Sequence, residues 1–164
     1  TCYRMALERG ADFVVMLHPD YQYDSRVVGP MVEFLKLGIC DVVLGSRFLG
    51  AERRGGTRLS IAANWFLTLL VRVLFRTRIS DMETGHKVFR RSVVEGMQLR
   101  AERYDFEPEF VCRVLARRIR LGERAIAYRP RSVAEGKGIG WRDGVQAVLT
   151  ILRWRWGKLV APDG

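Results

Sequence analysis

Between Phe13 and Asp24 an apolar run, Phe13-Val14-Val15-Met16-Leu17, stops abruptly at His18-Pro19-Asp20-Tyr21-Gln22-Tyr23-Asp24. The run reads as a buried strand, Ala11 to Leu17, and a strand apolar on both faces needs helices to cover them. It delivers a short acidic and polar tip into a loop, as α/β proteins do when they place working side chains at the carboxyl ends of strands.

The elements downstream alternate accordingly. Arg26 to Leu37 reads as a helix that tolerates Pro30 in its first turns, and Asp41 to Gly45 as a second strand closing on Ser46-Arg47, a βαβ unit. A basic, glycine-bearing loop from Gly50 to Arg58 leads into a long apolar helix, Leu59 to Phe75. A short strand at His86 to Phe89, a short helix at Arg91 to Met97, a helix from Phe106 to Leu121 and a strand at Arg124 to Tyr128 follow. Arg131 to Gly140, rich in glycine and charge, suits a mobile loop, and Trp141 to Trp156 returns to an amphipathic helix.

With 164 residues, 48% of them hydrophobic, the chain is one domain's worth and can bury a real core. Residues 1–158 are read as that domain, with 159–164 as a tail. The chain opens on Thr1 in what reads as the end of a helix, Tyr3 to Gly10, so a preceding portion is expected. The net charge of +10 is uneven: residues 1–50 hold five Lys/Arg against six Asp/Glu, the remainder 23 against 12. That asymmetry points to a polyanionic partner, whether phospholipid surface, nucleic acid or phosphorylated substrate. Cys2, Cys40 and Cys112 are odd in number and widely spaced, which indicates neither a disulfide framework nor a zinc site and fits a reducing cytosolic setting.

In the helix from Leu59, polar residues recur every four positions at Ser60, Asn64, Thr68, Arg72 and Arg76, leaving one narrow polar stripe on an apolar cylinder. At ~1.5 Å per residue it spans roughly 26 Å, short of a comfortable bilayer crossing, and Arg72 would be costly at mid-depth. A helix lying in a membrane interface is favoured over one that spans it. Residues 58–76 and 141–156 contain all four tryptophans, Trp65, Trp141, Trp154 and Trp156, interleaved with Arg72, Arg142, Arg153 and Arg155, as in a headgroup-level belt. The alternative is that these helices pack on each other or on a partner subunit.

His18, Asp20 and Gln22 alternate by two, so an extended backbone turns their side chains the same way. Three such donors can hold Mg²⁺ or Mn²⁺ beside a diphosphate; alternatively Asp20 and Asp24 cap the next helix. Arg47 at a strand end is either a phosphate-gathering guanidinium or a solvated charge. Asp81-Met82-Glu83-Thr84-Gly85-His86-Lys87 reads as a turn in which Gly85 supplies positive φ. Glu107 and Glu109 complement the dipole of a first helical turn. Arg131 and Lys137 place cations on a glycine-permitted backbone.

Taken in order, the His18 to Asp24 tip, Gly45-Ser46-Arg47, Asp81 to Lys87, Phe106-Glu107-Pro108-Glu109, and Arg131 with Glu135-Gly136-Lys137-Gly138-Ile139-Gly140-Trp141-Arg142-Asp143-Gly144 resemble a family 2 glycosyltransferase. The resemblance is to the branch of dolichyl-phosphate mannose synthase and bacterial polyprenyl-phosphate glycosyltransferases, and covers residues 10–150. It implies the GT-A fold: a Rossmann-like, mostly parallel sheet flanked by helices, here without its first nucleotide-binding strands and with amphipathic interface helices. It puts the metal motif on His18 and Asp20, with Gln22 as a further ligand. His18 departs from the aspartate of many members, a softer ligand that suits Mn²⁺. It assigns Asp20, Arg47 and Arg131 to catalysis, and Ser46, Asp81, Glu109 and Lys137 to substrate and phosphate binding. Gly138 stands where relatives often carry a second lysine.

The resemblance further implies metal-dependent, inverting transfer of a sugar from a nucleotide-diphosphate sugar to a polyprenyl phosphate. The enzyme would sit on the cytoplasmic face of a membrane as a peripheral protein and bind no nucleic acid. The rivals are transfer to a soluble or polysaccharide acceptor, and a non-catalytic basic module for membrane or nucleic acid.

Overall fold

The computed structural model describes residues 2–18, 21–50, 57–97, 99, 105–129 and 141–157. Strands β1 (Phe13–Met16), β2 (Val42–Ser46), β3 (Lys87–Arg90) and β4 (Leu121–Ala125) form one mixed sheet in the order β1-β3-β2-β4. Helices α1 (Cys2–Glu8), α2 (Val28–Lys36), α3 (Arg58–Phe75), α4 (Arg91–Val94), α5 (Phe106–Ala116) and α6 (Trp141–Trp156) surround it. A 3₁₀ turn, Ser25–Val27, capped by the Asp24 side chain, precedes α2.

The βαβ expectation holds in direction but not in adjacency. β1 and β2 run the same way, yet β3 lies between them, antiparallel to both, with Lys87 opposite Met16 on one side and Leu44 on the other. β2 and β4 pair in parallel, Ser46 opposite Ala125. An antiparallel insert has a topological consequence: its entrance lies where its neighbours exit. The segment 81–86 is thereby delivered to the carboxyl ends of β1 and β2.

Alternation along the strands separates two cores. Val14, Val42, Leu44 and Phe89 face α3, α5 and α6 in the larger one, with Phe110 0% exposed beneath them. Val43 and Val88 face Met31 and Leu35 of α2 in the smaller.

The helix expected from Arg91 to Met97 ends at Val94, the one expected from Arg26 begins at Val28 after the 3₁₀ turn, and a larger shift follows α5. The helix expected to reach Leu121 ends at Ala116, and the strand expected from Arg124 starts at Leu121. The stop is a left-handed residue, Arg118 at φ 54, after which the Ile119 amide donates back to the Val114 carbonyl at 3.0 Å. Left-handed helix stops usually fall on glycine or asparagine, so an arginine there leaves no sequence signal.

The Thr57 side chain caps α3 by accepting from the Ser60 amide, and α3 is long and apolar enough to cross a membrane by length and composition. Leu67 and Val71 bury in the larger core, and part of the polar stripe is drawn in beside them. Asn64 and Thr68 of the polar stripe turn inward, where the Thr68 hydroxyl donates to Asn64 at 3.2 Å and accepts the Met82 amide at 3.2 Å. Leu59, Ile61, Trp65, Phe66, Leu69 and Val73 are exposed. In α6, Trp154 packs inward under the Arg113 guanidinium at 4.3 Å, whereas Trp141, Val145, Leu149 and Trp156 face out. Arg155 Nε donates to the Leu74 carbonyl at 2.8 Å, joining the ends of α3 and α6. The two helices therefore pack together and also expose apolar edges.

The cysteines are separate thiols, Cys2 exposed, Cys40 and Cys112 buried. Burial pushes Cys112 up to about 12 and raises Cys40 as well. A thiol reagent at pH 8 should label Cys2 alone in the native protein and all three in denaturant; rapid native labelling of Cys112 would contradict this packing.

Candidate functional site

Two polar clusters form where β1 and β2 end and β3 begins. The first is a clasp between Arg47, just past β2, and Asp81, which is 0% exposed. Arg47 Nε donates to Oδ2 and Nη2 to Oδ1, each at 2.7 Å, and the Arg47 amide adds a bond to Oδ2 at 3.0 Å. Planar guanidinium and carboxylate match in such a fork. The guanidinium also lies over the Tyr128 ring at 5.2 Å and near Phe48 at 5.7 Å. Burial alone would pull it down, but the bonds and charge of Asp81 hold it above its ordinary value.

This clasp is braced from three elements. From α3, Asn64 Nδ2 reaches Asp81 Oδ1 at 3.4 Å. From β4, Glu123 accepts from the Ser80 amide at 2.8 Å, the Ser80 hydroxyl at 3.0 Å and the Asp81 amide at 3.1 Å. Burial raises Glu123 against the lowering effect of these bonds. From β2, Ser46 is 0% exposed; its hydroxyl shares a 2.7 Å bond with Ser80 and accepts the Phe48 amide at 3.1 Å, shaping the exit turn.

The second cluster lies under the His18 tip. Gly85 does not have the positive φ that its place in a turn suggests. It lies against His18 instead: a Cβ there would stand 2.8 Å from His18 Nε2 and 2.9 Å from Cδ2, so the ring would have to shift. Next to it Lys87, 0% exposed, ion-pairs with Glu107 Oε2 and donates to the Thr84 carbonyl. Glu107 Oε1 stands 4.0 Å from His18 Nε2. Burial pushes Lys87 down to about 7, opposed by Glu83 and Asp81 and reinforced by Arg47. Glu83 Oε1 is buried with no hydrogen-bond partner among the described residues, and burial pushes its carboxyl up to about 7.

The tip is stitched to the chain that leads towards Arg131. The Arg129 amide donates to the Gln22 carbonyl at 2.9 Å, Tyr23 bridges Tyr128, and the Tyr23 hydroxyl accepts the Gly85 amide at 3.2 Å.

Of the residues singled out from the sequence, the structure brings together His18, Gln22, Ser46, Arg47 and Asp81 at this sheet edge. Asp20, Arg131 and Lys137 lie outside the described residues. Glu109, 3% exposed, ion-pairs within α5 to Arg113 at 3.1 Å, the residue that stacks on Trp154. Glu107, not Glu109, is the acid beside His18. Two carboxylates two apart in a first helical turn point in different directions, and sequence alone does not choose between them. Glu83, Lys87, Asn64 and Glu123 were likewise not singled out. Among the described residues no three His, Cys, Asp or Glu side chains converge as a metal site. Of the residues that would hold a cation, His18 and Gln22 flank Asp20 in the sequence.

No family model matches the chain. Over 147 residues it is 28% identical to the low-salt glycan biosynthesis hexosyltransferase Agl6 of Haloferax volcanii, covering 85% of this chain and 35% of that protein. Among solved structures it is similar to glucosyl-3-phosphoglycerate synthase from Mycobacterium tuberculosis with phosphoglyceric acid: TM-score 0.66, 18% identity, 94% of this chain and 53% of that one. The complex of that synthase with Mn²⁺, UDP-glucose and glycerol 3-phosphate matches with TM-score 0.63, 15% identity and the same coverage. The fold is therefore the GT-A type of α/β fold found in glycosyltransferases. The chain spans about half the length of the solved relatives it matches and about a third of the curated one.

Two outcomes follow from the burial of these charges. Asp81→Ala strands a buried guanidinium and should cost about 3–5 kcal/mol in chemical denaturation, while Arg47→Met with Asp81→Leu should recover most of the loss. Glu83 holds a proton in the folded state between its unfolded value of 4.5 and about 7, so its contribution to stability falls as pH rises through that window. Glu83→Gln should then raise Tm by roughly 2–4 °C at pH 8 and leave it unchanged at pH 4, read by calorimetry.

Proposed function

We propose that this chain is the metal, phosphate and acceptor part of a glycosyltransferase that moves a sugar from a nucleotide-diphosphate sugar to a polyprenyl phosphate, with inversion at the anomeric carbon. The observation that carries the reading is the two-sided helix α3. Its polar edge, Asn64 and Thr68, bonds to Asp81 and Met82 at the candidate site, and its opposite edge exposes Trp65, Phe66, Leu69 and Val73. One helix thus joins a charged site to an apolar surface, as a reaction on a lipid-borne phosphate requires. The exposed edge of α6 and the excess of basic residues support a peripheral position on the cytoplasmic face of a membrane.

In this reading Asp20, Gln22 and His18 hold Mg²⁺ or Mn²⁺, which supplies neutralising charge to the departing diphosphate. Arg47 keeps its Asp81-facing edge engaged and offers its remaining donors to phosphate oxygens. Arg131 and Lys137 bring further positive charge to bring two like-charged groups together. The acceptor phosphate is already an anion at neutral pH and attacks directly, so the residues need to orient it rather than deprotonate it. The Mn²⁺ and UDP-glucose complex of the M. tuberculosis synthase supports a divalent ion and a nucleotide sugar here.

The phosphoglyceric acid in that neighbour favours one second reading, a soluble phosphorylated acceptor. Changing Trp65, Phe66, Leu69 and Val73 together to glutamine separates the two. Under the lipid reading, sedimentation with anionic vesicles and turnover with a long polyprenyl phosphate should both fall at least about tenfold; unchanged turnover would favour the soluble acceptor. Calorimetric titration with UDP- and GDP-sugars should show binding that needs Mn²⁺ and is lost in Asp20→Ala. Equal binding without metal would refute the metal assignment.

A further inference from the structure

Besides the Asp81 fork, Arg47 is held from a direction that takes none of its donors. β2 and β4 pair in parallel as far as Ser46 opposite Ala125, and the Ile126 amide then donates to the Ser46 carbonyl at 3.0 Å, so the chain leaving β4 stays beside the chain leaving β2. Two residues further on, the Arg47 guanidinium lies over the Tyr128 ring, with Cζ 5.2 Å from the centroid and within reach of a cation–π contact. The ring is itself fixed by Tyr23, whose own ring stands 5.3 Å away and whose backbone bridges to Tyr128. Tyr23 is anchored in turn: its hydroxyl accepts the Gly85 amide at 3.2 Å and its ring rests 5.5 Å from that of His86. Because β1 and β4 are the outer strands, this bridge ties the two edges of the sheet together past the ends of the inner strands.

The kind of contact decides what Arg47 can still do. A guanidinium carries five N–H donors, all in one plane. Asp81 takes Nε and one hydrogen of Nη2 along one edge of that plane, whereas an aromatic ring meets the face and uses no donor. Both hydrogens on Nη1 and the second on Nη2 make no hydrogen bond among the described residues, and the side chain keeps 16% of its surface exposed. Two bonds along one edge leave the plane able to hinge about that edge; a ring against the face removes the freedom. Resting on the phosphate-binding reading of Arg47 above, we propose that Tyr128 is a positioning residue: with Asp81 on one edge and the ring on the face, it presents the Nη1–Nη2 edge of Arg47 to two oxygens of a phosphate group. A glutamine or glutamate in its place would restrain the guanidinium only by consuming the donors that a phosphate needs.

Calorimetric titration of the full chain with two probes, inorganic pyrophosphate and farnesyl phosphate, distinguishes the diphosphate of a donor from the phosphate of a lipid acceptor as the group Arg47 holds. Arg47→Met with Asp81→Leu, which leaves no unpaired buried charge, should lose affinity for one or both. For each probe that depends on Arg47, Tyr128→Leu should weaken binding about 3- to 10-fold, while Tyr128→Phe, which keeps the face, should stay within about twofold of wild type. In the background of Arg47→Met with Asp81→Leu, Tyr128→Leu should cause no further loss, a coupling that a merely structural ring would not give. Thermal melts accompany each titration, and Tyr128→Met, with a flexible side chain of similar reach, replaces Tyr128→Leu should the latter not fold. Wild-type affinity in the leucine or methionine variant, an equal loss in Tyr128→Phe, or an undiminished loss in the background without Arg47 would overturn the proposal. Binding of neither probe, or binding that does not depend on Arg47, would remove the phosphate reading of Arg47 itself and this proposal with it.

Discussion

The clasp between Arg47 and Asp81 is the interaction on which the rest of the site depends. It ties the exit of β2 to the turn that enters β3, and each group bracing it comes from a different element: Asn64 from α3, Glu123 from β4 and Ser46 from β2. A buried ion pair adds little stability over a well-packed apolar pair, but loses much if half of it is removed. Its value here is geometric. One bidentate contact, two bonds at 2.7 Å each, defines the position of the turn that also carries Glu83, Gly85 and Lys87.

The antiparallel insertion of β3 explains why two clusters exist side by side. Had β1 and β2 been neighbours, the segment 81–86 would have no place at their carboxyl ends. With β3 between them, one face of its entrance supplies Asp81 to Arg47, and the first residue of the strand supplies Lys87 to Glu107 beneath His18. Helix α3 then closes the first cluster with its polar edge. The same helix buries Leu67 and Val71 yet leaves Trp65, Phe66, Leu69 and Val73 exposed, and an apolar patch of that kind marks a surface that meets something apolar.

Much of this was legible in the sequence because it depended on periodicity. Trp141–Trp156 was read to the residue, α3 to within one, and the strand ends at Met16 and Ser46 to within one. Local pattern failed where structure is set by non-local partners. The stop at Arg118 has no glycine, and the order of β3 in the sheet is decided by pairing that no local window contains. At the site, Arg47 and Asp81 were each singled out but not as partners, 34 positions apart. Gly85 is expected to supply a positive φ and instead has an ordinary backbone angle with the His18 ring packed against it. Lys87 and Glu107 stand inside quoted motifs, yet nothing local marks them as a buried pair, since a lysine entering a short strand and a glutamate in a first helical turn are ordinary surface residues until the fold buries them.

The central claim is that sugar passes to a lipid-borne phosphate at this sheet edge. Mass spectrometry of the lipid fraction, after the full-length protein is offered a polyprenyl phosphate, Mn²⁺ and a set of nucleotide sugars, tests it most directly. The account predicts a polyprenyl monophosphate carrying one sugar, absent when Asp20 is replaced by alanine. A sugar found only on a soluble acceptor, or a lipid diphosphate formed by transfer of a sugar phosphate, would contradict it.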